Sequence, residues 1–320
     1  MIPAPQVGVK GVQKKKSFKP RDFFPGWNFL EYLFLRVASE IVNAFPIEIS
    51  SWIARRVGDL LFFLMTERRK IAFDNLDIAF GNTKTTTEKR RIARESFRHL
   101  TTSLMEFFRI PKILKGSERR FRFQGAQYTD QAFAKGKGVL LVISHLGSWE
   151  LLAFLPYLKK YPCSVVGRSM KNPYIYQWIQ SLRRSTTLNH IDKKSAAKAI
   201  FSELKKNHLV AILIDQWAGA EGLWTDFFGE PTSTTSIPAR FARKTGCALV
   251  PACCLRIRSG QYLIQIKPEI PFPRNAENWE EQTTQELNRE LEEQIAVHPE
   301  QWSWAHRRWK STAHYRAIKN

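Results

Sequence analysis

Two periodicities divide the chain. Up to about residue 110, apolar residues recur every three or four positions. In "SSWIARRVGDLLFFLM" they fall at Ile53, Val57, Leu60, Leu61 and Leu64, the stripe of a helix. "TTTEKRRIARESFRHLTTSLMEFFRI" keeps that spacing through Ile92, Phe97, Leu100 and Leu104, behind a Thr and a Glu placed as a helix cap. Residues 24–110 therefore read as mostly helical. From about residue 118 the pattern changes. "GVLLVIS" (138–144), "CSVVGR" (163–168), "LVAILID" (209–215), "CALVPACCLRI" (247–257) and "QYLIQIKPEI" (261–270) read as strands. Helical segments lie between and around them at 149–160, 174–184, 195–206 and 236–245. The first and third strands are apolar on both faces, which calls for helices on both sides of the sheet. Strand–helix alternation predicts an α/β fold: a mixed, largely parallel sheet flanked by helices, its last two strands close enough for an antiparallel pair. "NAENWEEQTTQELNRELEEQIAVHP" reads as a further acidic helix with a solvated face.

The segment "WNFLEYLFLRVASEIVNAFP" (27–46) is long enough to span a bilayer, but Glu31, Arg36 and Glu40 interrupt it. A charge at mid-bilayer costs about 2.5–3.5 kcal/mol, against about half a kcal/mol returned by a Leu or Phe. A helix lying in the membrane interface and a buried core helix are the two readings that stand. Residues 1–23 carry Lys10, Lys14, Lys15, Lys16, Lys19 and Arg21, a basic tail that is either disordered or a tether to anionic lipid. Three regions result: the tail 1–23, a helical membrane-proximal region 24–115, and a catalytic α/β domain 116–320.

Charge narrows the partners. Fifty Lys and Arg against 29 Asp and Glu give a formal +21 over 320 residues. Such a chain attracts nucleic acid, anionic membrane or phosphorylated substrates. No nucleic-acid motif is present and the charge is spread along the chain, so a nucleic-acid-binding protein is the weaker alternative. The cysteines Cys163, Cys247, Cys253 and Cys254 form no C-x-x-C pair and no metal-finger spacing, which fits a reducing compartment. There is no Walker sequence and no G-x-G-x-x-G.

The chemistry concentrates in "SHLGSWE" (144–150), directly after an apolar strand. Gly147 permits a turn and Ser148 suits an N-cap for a helix starting at Trp149. His145 then sits at the C-terminal end of a buried strand, where open α/β sheets place their active sites, with Glu150 in the first helical turn. A carboxylate beside the imidazole makes it a usable base. A strand-end histidine bonded to backbone is the plain alternative. Downstream, Arg168 ends the next strand and precedes Lys171, Asn172 and Pro173; "AILIDQ" ends in Asp215 and Gln216; "DFFGEPTSTT" carries Phe227 and Phe228; and the chain closes on "QWSWAHRRWK".

In order and spacing, "RRKIAFDNLDIAFGN", "ISHLGSWELLA", the Arg168–Pro173 segment, "DQ", "FFGEPTSTT" and "HPEQWSWAHRRWK" resemble the late acyltransferases of lipid A biosynthesis and their relatives that acylate phosphatidylinositol mannosides. The resemblance runs from about residue 27 to 310. It implies an H-x-x-x-x-D/E acyltransferase with His145 as general base and Glu150 as its partner. Arg168, Lys171, Asn172, Asp215 and Gln216 are then substrate-binding candidates. Phe227 and Phe228 are candidates for the acyl groove, with core packing as the alternative. No metal and no cofactor is expected. The implied reaction moves a fatty acyl group from an acyl carrier protein or coenzyme A thioester to a glycolipid hydroxyl, most of all a lipid A precursor. A phosphatidylinositol mannoside is the alternative acceptor. The implied location is the cytoplasmic face of a bacterial inner membrane.

Overall fold

The computed structural model describes residues 26–154, 161–167, 170–184, 188–192, 196–273, 275–310 and 312. Among them the chain forms nine strands: β1 (Phe121–Gln124), β2 (Val139–Ile143), β3 (Cys163–Gly167), β4 (Leu188–Asp192), β5 (Leu209–Leu213), β6 (Leu223–Phe227), β7 (Glu230–Thr234), β8 (Ala248–Arg258) and β9 (Gln261–Ile266). Seven build one sheet in the order β1-β9-β8-β2-β5-β3-β4. β8, β2, β5, β3 and β4 run parallel, β9 turns back against β8, and β1 follows β9. The mixed, largely parallel sheet and its antiparallel β8–β9 pair are as the sequence predicts. β6 and β7 form a separate hairpin.

β2 is buried at every position, so both faces of the sheet are covered. Alternate residues serve opposite cores. Leu140, Val142, Val210, Ile212 and Leu249 enter one apolar cluster, while Val139, Leu141, Ile143, Leu209 and Val250 enter the other. The helical expectations at 174–184, 195–206 and 236–245 are met by α8 (Pro173–Arg184), α9 (Ala196–Lys205) and α10 (Ile237–Thr245); α11 (Trp279–Val297) is the acidic helix. Its apolar side is not idle: Leu287, Leu291 and Ile295 belong to the first core. The segment after His145 differs. It is a short 3₁₀ helix, Trp149–Phe154, and residues 155–160 of the expected helix lie outside those described.

Before the sheet come α1 (Trp27–Ala44), α2 (Ile47–Leu64), α3 (Thr66–Phe80), α4 (Thr86–Phe108), α5 (Ile110–Leu114), α6 (Ser117–Arg120) and, after β1, α7 (Ala126–Ala134). A capping box of Thr85 and Glu88 starts α4. Phe62, Leu76, Ile92 and Phe97 from these helices share a core with the sheet residues Leu140 and Val142.

The stripe on α2 faces outward. Ile49, Trp52, Ile53, Val57, Leu60, Phe63 and Leu64 are exposed, while Ser50, Ser51, Ala54, Gly58, Asp59 and Phe62 are buried. α1 likewise exposes Phe29, Leu30, Leu33, Phe34, Val37 and Ile41. The charges that interrupt α1 are turned to other uses. Glu31 accepts from Trp27 Nε1 and Asn172 Nδ2, and the Arg36 guanidinium lies over the Trp178 ring. Among the described residues, no helix is long and apolar enough to cross a membrane.

One buried ion pair joins α4 to β8. Arg256 donates to Glu106 through Nε and Nη2, both at 2.6 Å, and Tyr262 Oη donates to the same carboxylate at 2.9 Å. The side chains are 8% and 1% exposed, so neither charge has water to fall back on. Glu106→Ala strands a buried guanidinium and is expected to cost about 3–5 kcal/mol of stability. Glu106→Gln, which keeps two acceptor–donor contacts, is expected to cost less. Urea denaturation of both variants measures the difference.

Candidate functional site

Parallel register assembles the site. β2 and β5 pair with Ile143 opposite Leu213, so the residues two positions beyond each strand end, His145 and Asp215, emerge side by side. The Asp215 carboxylate is 2% exposed and fully engaged. Its Oδ2 accepts from the His145 backbone N–H and from Trp302 Nε1, each at 2.8 Å, and its Oδ1 lies 2.8 Å from His145 Nδ1. Burial alone would raise the Asp215 pKa, but the imidazole charge and these donors outweigh it and hold the group down at about 2. Burial likewise works against protonation of His145. The neighbouring Asp215 charge overcomes it and raises the imidazole pKa, with a smaller contribution from Glu150.

An ionised Asp215 takes a proton bond from Nδ1, which leaves Nε2 with its lone pair facing outward. The side-chain amide nitrogen of Gln216 lies 3.3 Å from Nε2. Beside it opens a cavity of ≈ 260 Å³. Its walls are largely apolar, with Ile143, Leu152, Val165, Ile179 and Leu213, and Glu150 and Trp149 stand at the histidine end. The Trp149 ring meets the imidazole edge-on at 5.1 Å between centroids.

The loop carrying His145 is held from behind. Gly147 adopts φ +63°, and a Cβ there would come within 2.2 Å of the Cys254 carbonyl oxygen. Gly147 N–H donates to Gln301 O, Ser148 N–H donates to Cys254 O, and Ser103 Oγ donates to Gly147 O. Ser148 does not cap a helix with its hydroxyl as the sequence suggests. Its Oγ donates to Glu106 Oε2 at 2.6 Å and accepts from Arg256 Nη2 at 2.9 Å, so the buried ion pair takes up the hydroxyl. The chain's end closes the other side. Arg308 is fully buried and donates to Gln216 O, Ser233 O and Thr234 Oγ1, with its pKa pushed down to about 10 by burial.

Of the residues singled out from the sequence, His145, Glu150, Asp215 and Gln216 come together. The carboxylate on Nδ1 is Asp215; Glu150 lines the cavity and acts on the imidazole through its charge. Arg168 lies outside the described residues, and Lys171 is exposed. Asn172 is a buried strut. It donates to Asn28 O and Glu31, and its Oδ1 receives the N–H groups of Tyr174 and Ile175 at the start of α8. Phe227 is fully buried against Trp302, Trp309 and Arg308, and Phe228 packs on Phe80 and Trp304. Phe227 belongs to the core, Phe228 packs against it half-buried, and neither lines the His145 cavity. The role of Trp302 and Arg308 was not visible in the sequence beyond their aromatic, basic segment.

Comparison with known proteins gives the family. The profile of the family described as bacterial lipid A biosynthesis acyltransferase matches residues 22–311. The phosphatidylinositol mannoside acyltransferase of Mycobacterium tuberculosis is 26% identical over 64% of this chain and 66% of its own length, just under two thirds of that relative. The lipid A biosynthesis palmitoleoyltransferase of Escherichia coli is 26% identical over 83% of this chain and 86% of its own. The lipid A biosynthesis lauroyltransferase of the same organism is 28% identical over 80% and 83%.

Histidine-selective NMR titration ranks the two carboxylates. Asp215→Asn removes the larger favourable charge and is expected to bring the His145 midpoint down; Glu150→Gln is expected to lower it by less. The opposite order would make Glu150 the dominant partner.

Proposed function

The chain belongs to the bacterial lipid A biosynthesis acyltransferase family, and from that premise we propose that it moves a fatty acyl group from an acyl thioester to a glycolipid hydroxyl. The observation that carries the proposal is the His145–Asp215 pair at one end of a cavity with largely apolar walls. In this reading Nε2 takes the proton of the acceptor hydroxyl as its oxygen attacks the thioester carbonyl. The tetrahedral intermediate collapses, the carbon–sulfur bond breaks, and the imidazolium returns the proton to the leaving thiolate. Asp215 fixes the tautomer and stabilises the transient imidazolium. Glu150 adds negative potential at the same ring. The apolar slot beside His145 receives the proximal part of the acyl chain, and Arg168 and Lys171, in the segment after β3, meet phosphates of donor or acceptor.

The donor in this proposal is an acyl carrier protein or coenzyme A thioester, and the acceptor is a lipid A precursor. A phosphatidylinositol mannoside is the second acceptor, favoured by a relative of that name at the same 26% identity. The place of action is the cytoplasmic face of a bacterial inner membrane. Its support is the outward apolar face of α1 and α2, where large apolar side chains are exposed along both helices. Amphipathic helices of this kind lie in the interface without spanning it.

Three measurements test the reading. Acyl transfer to a lipid A precursor, followed by mass spectrometry, is expected to fall roughly 10²–10⁴-fold in His145→Ala. Asp215→Asn is expected to fall in the same range and Glu150→Gln by less; full activity of His145→Ala overturns the mechanism. The activity of the wild-type enzyme is expected to rise with pH through the raised His145 pKa, because only the neutral imidazole accepts a proton. Membrane fractionation is expected to release the protein with salt plus detergent, and release by salt alone would contradict an embedded apolar face.

A further inference from the structure

A second cavity, away from His145, gathers positive charge. A cavity of ≈ 670 Å³ opens between the α5–α6 turn and the β8–β9 hairpin, against the start of α2. Its lining includes Lys115, Arg119, Arg120 and Arg258, with Glu48 as the single carboxylate and Ser259 as a hydroxyl donor. We propose that this pocket binds the phosphate of an anionic lipid headgroup. The proposal rests on the membrane-surface reading above and adds a specific lipid contact to it.

The charges are there without an internal counterpart. Among the described residues no carboxylate forms an ion pair with Lys115, Arg119, Arg120 or Arg258, and all four line the one cavity. Four cations around one cavity repel one another, and an anion in the cavity removes that penalty. Arg120 is oriented for the task. Its Nη1 donates to Gly260 O at 3.3 Å across the bare hairpin turn, where a Cβ would stand 2.7 Å from the guanidinium. Buried Arg109 is pulled to lower pKa first by burial and then by the charge of Arg120.

Position selects a lipid over other phosphates. The pocket lies against Ile47 and Glu48, the first turn of α2, next to the exposed Phe45, Ile49, Trp52 and Ile53. Ile257, half exposed, precedes Arg258. A headgroup seated among the cations leaves its acyl chains against this apolar rim. The volume falls in the range of pockets that hold a small molecule, about 300–1,000 Å³. A compact pocket also fits one phosphate group better than the extended backbone of a nucleic acid, which calls for a strip of charge.

The test uses the full chain and co-sedimentation with vesicles of phosphatidylcholine alone or doped with phosphatidylglycerol. One variant combines Lys115→Ala, Arg119→Ala and Arg258→Ala. A control combines Lys70→Ala, Lys137→Ala and Lys198→Ala, which removes the same charge elsewhere. The wild type is expected to bind doped vesicles more tightly than plain ones. The pocket variant is expected to lose roughly a hundredfold of that affinity, at about 1 kcal/mol for each of three cations near an anionic surface, and the control about twofold. Binding to plain vesicles is expected to be equal in all three. Equal losses in the pocket variant and the control overturn the pocket and leave the membrane reading intact. Absence of wild-type binding to either vesicle overturns both. Binding of inorganic phosphate, followed by calorimetry, without any gain on doped vesicles assigns the pocket to a soluble phosphate and overturns the lipid.

Discussion

The site depends on a carboxylate that has no water. Asp215 is held at the end of β5 with every neighbour a donor: the His145 N–H, its imidazole and the Trp302 indole. A buried charge is tolerable only when it is paired and hydrogen-bonded in full. The requirement therefore acts on distant parts of the chain at once. It fixes the exit of β2 through the backbone of His145. It also fixes the C-terminal segment through Trp302, whose neighbour Gln301 accepts from Gly147 and caps the same loop.

A second buried carboxylate does for the loop's rear what Asp215 does for its front. Glu106 gathers Arg256, Tyr262 and Ser148, and Arg256 in turn reaches Ser103 and His99. His99, half-buried beside that guanidinium, is kept neutral: desolvation first and the Arg256 charge second lower its pKa to about 2. The result is a loop clamped from both sides, so the imidazole does not depend on loop flexibility for its aim. Such preorganisation is what acid–base work at a carbonyl requires.

Legibility followed burial. β2 and β5 show as unbroken apolar runs because parallel central strands bury both faces. β1, "FRFQ", and β4, "LNHID", were missed: they are short sheet edges with polar positions and give no run to read. The β6–β7 hairpin was hidden by Pro231 and its hydroxyl-rich neighbours, and its turn places Phe228 at φ +53°, a conformation that sequence rules reserve for glycine or asparagine. At the site, His145 was legible from its strand end. Asp215 was visible as half of a "DQ" pair, but its tie to the imidazole needs strand pairing. The signal was present as an equal offset, two residues past β2 and two past β5, and it becomes decisive only once those strands are known to be neighbours.

The outward-turned stripe of α2 changes how substitutions in these helices should be weighed. On an ordinary surface helix the apolar side carries the fold and the polar side drifts freely. Here Ser50 reaches back to Val42 O, and Gly58 has no room for a side chain against the Arg98 backbone. Shape is demanded at the small and polar positions, whereas Ile53, Val57, Leu60 and Leu64 need only stay greasy. Sequence drift between relatives should therefore gather on the hydrophobic side of α2, where exchange among Leu, Ile, Val and Phe keeps the face apolar.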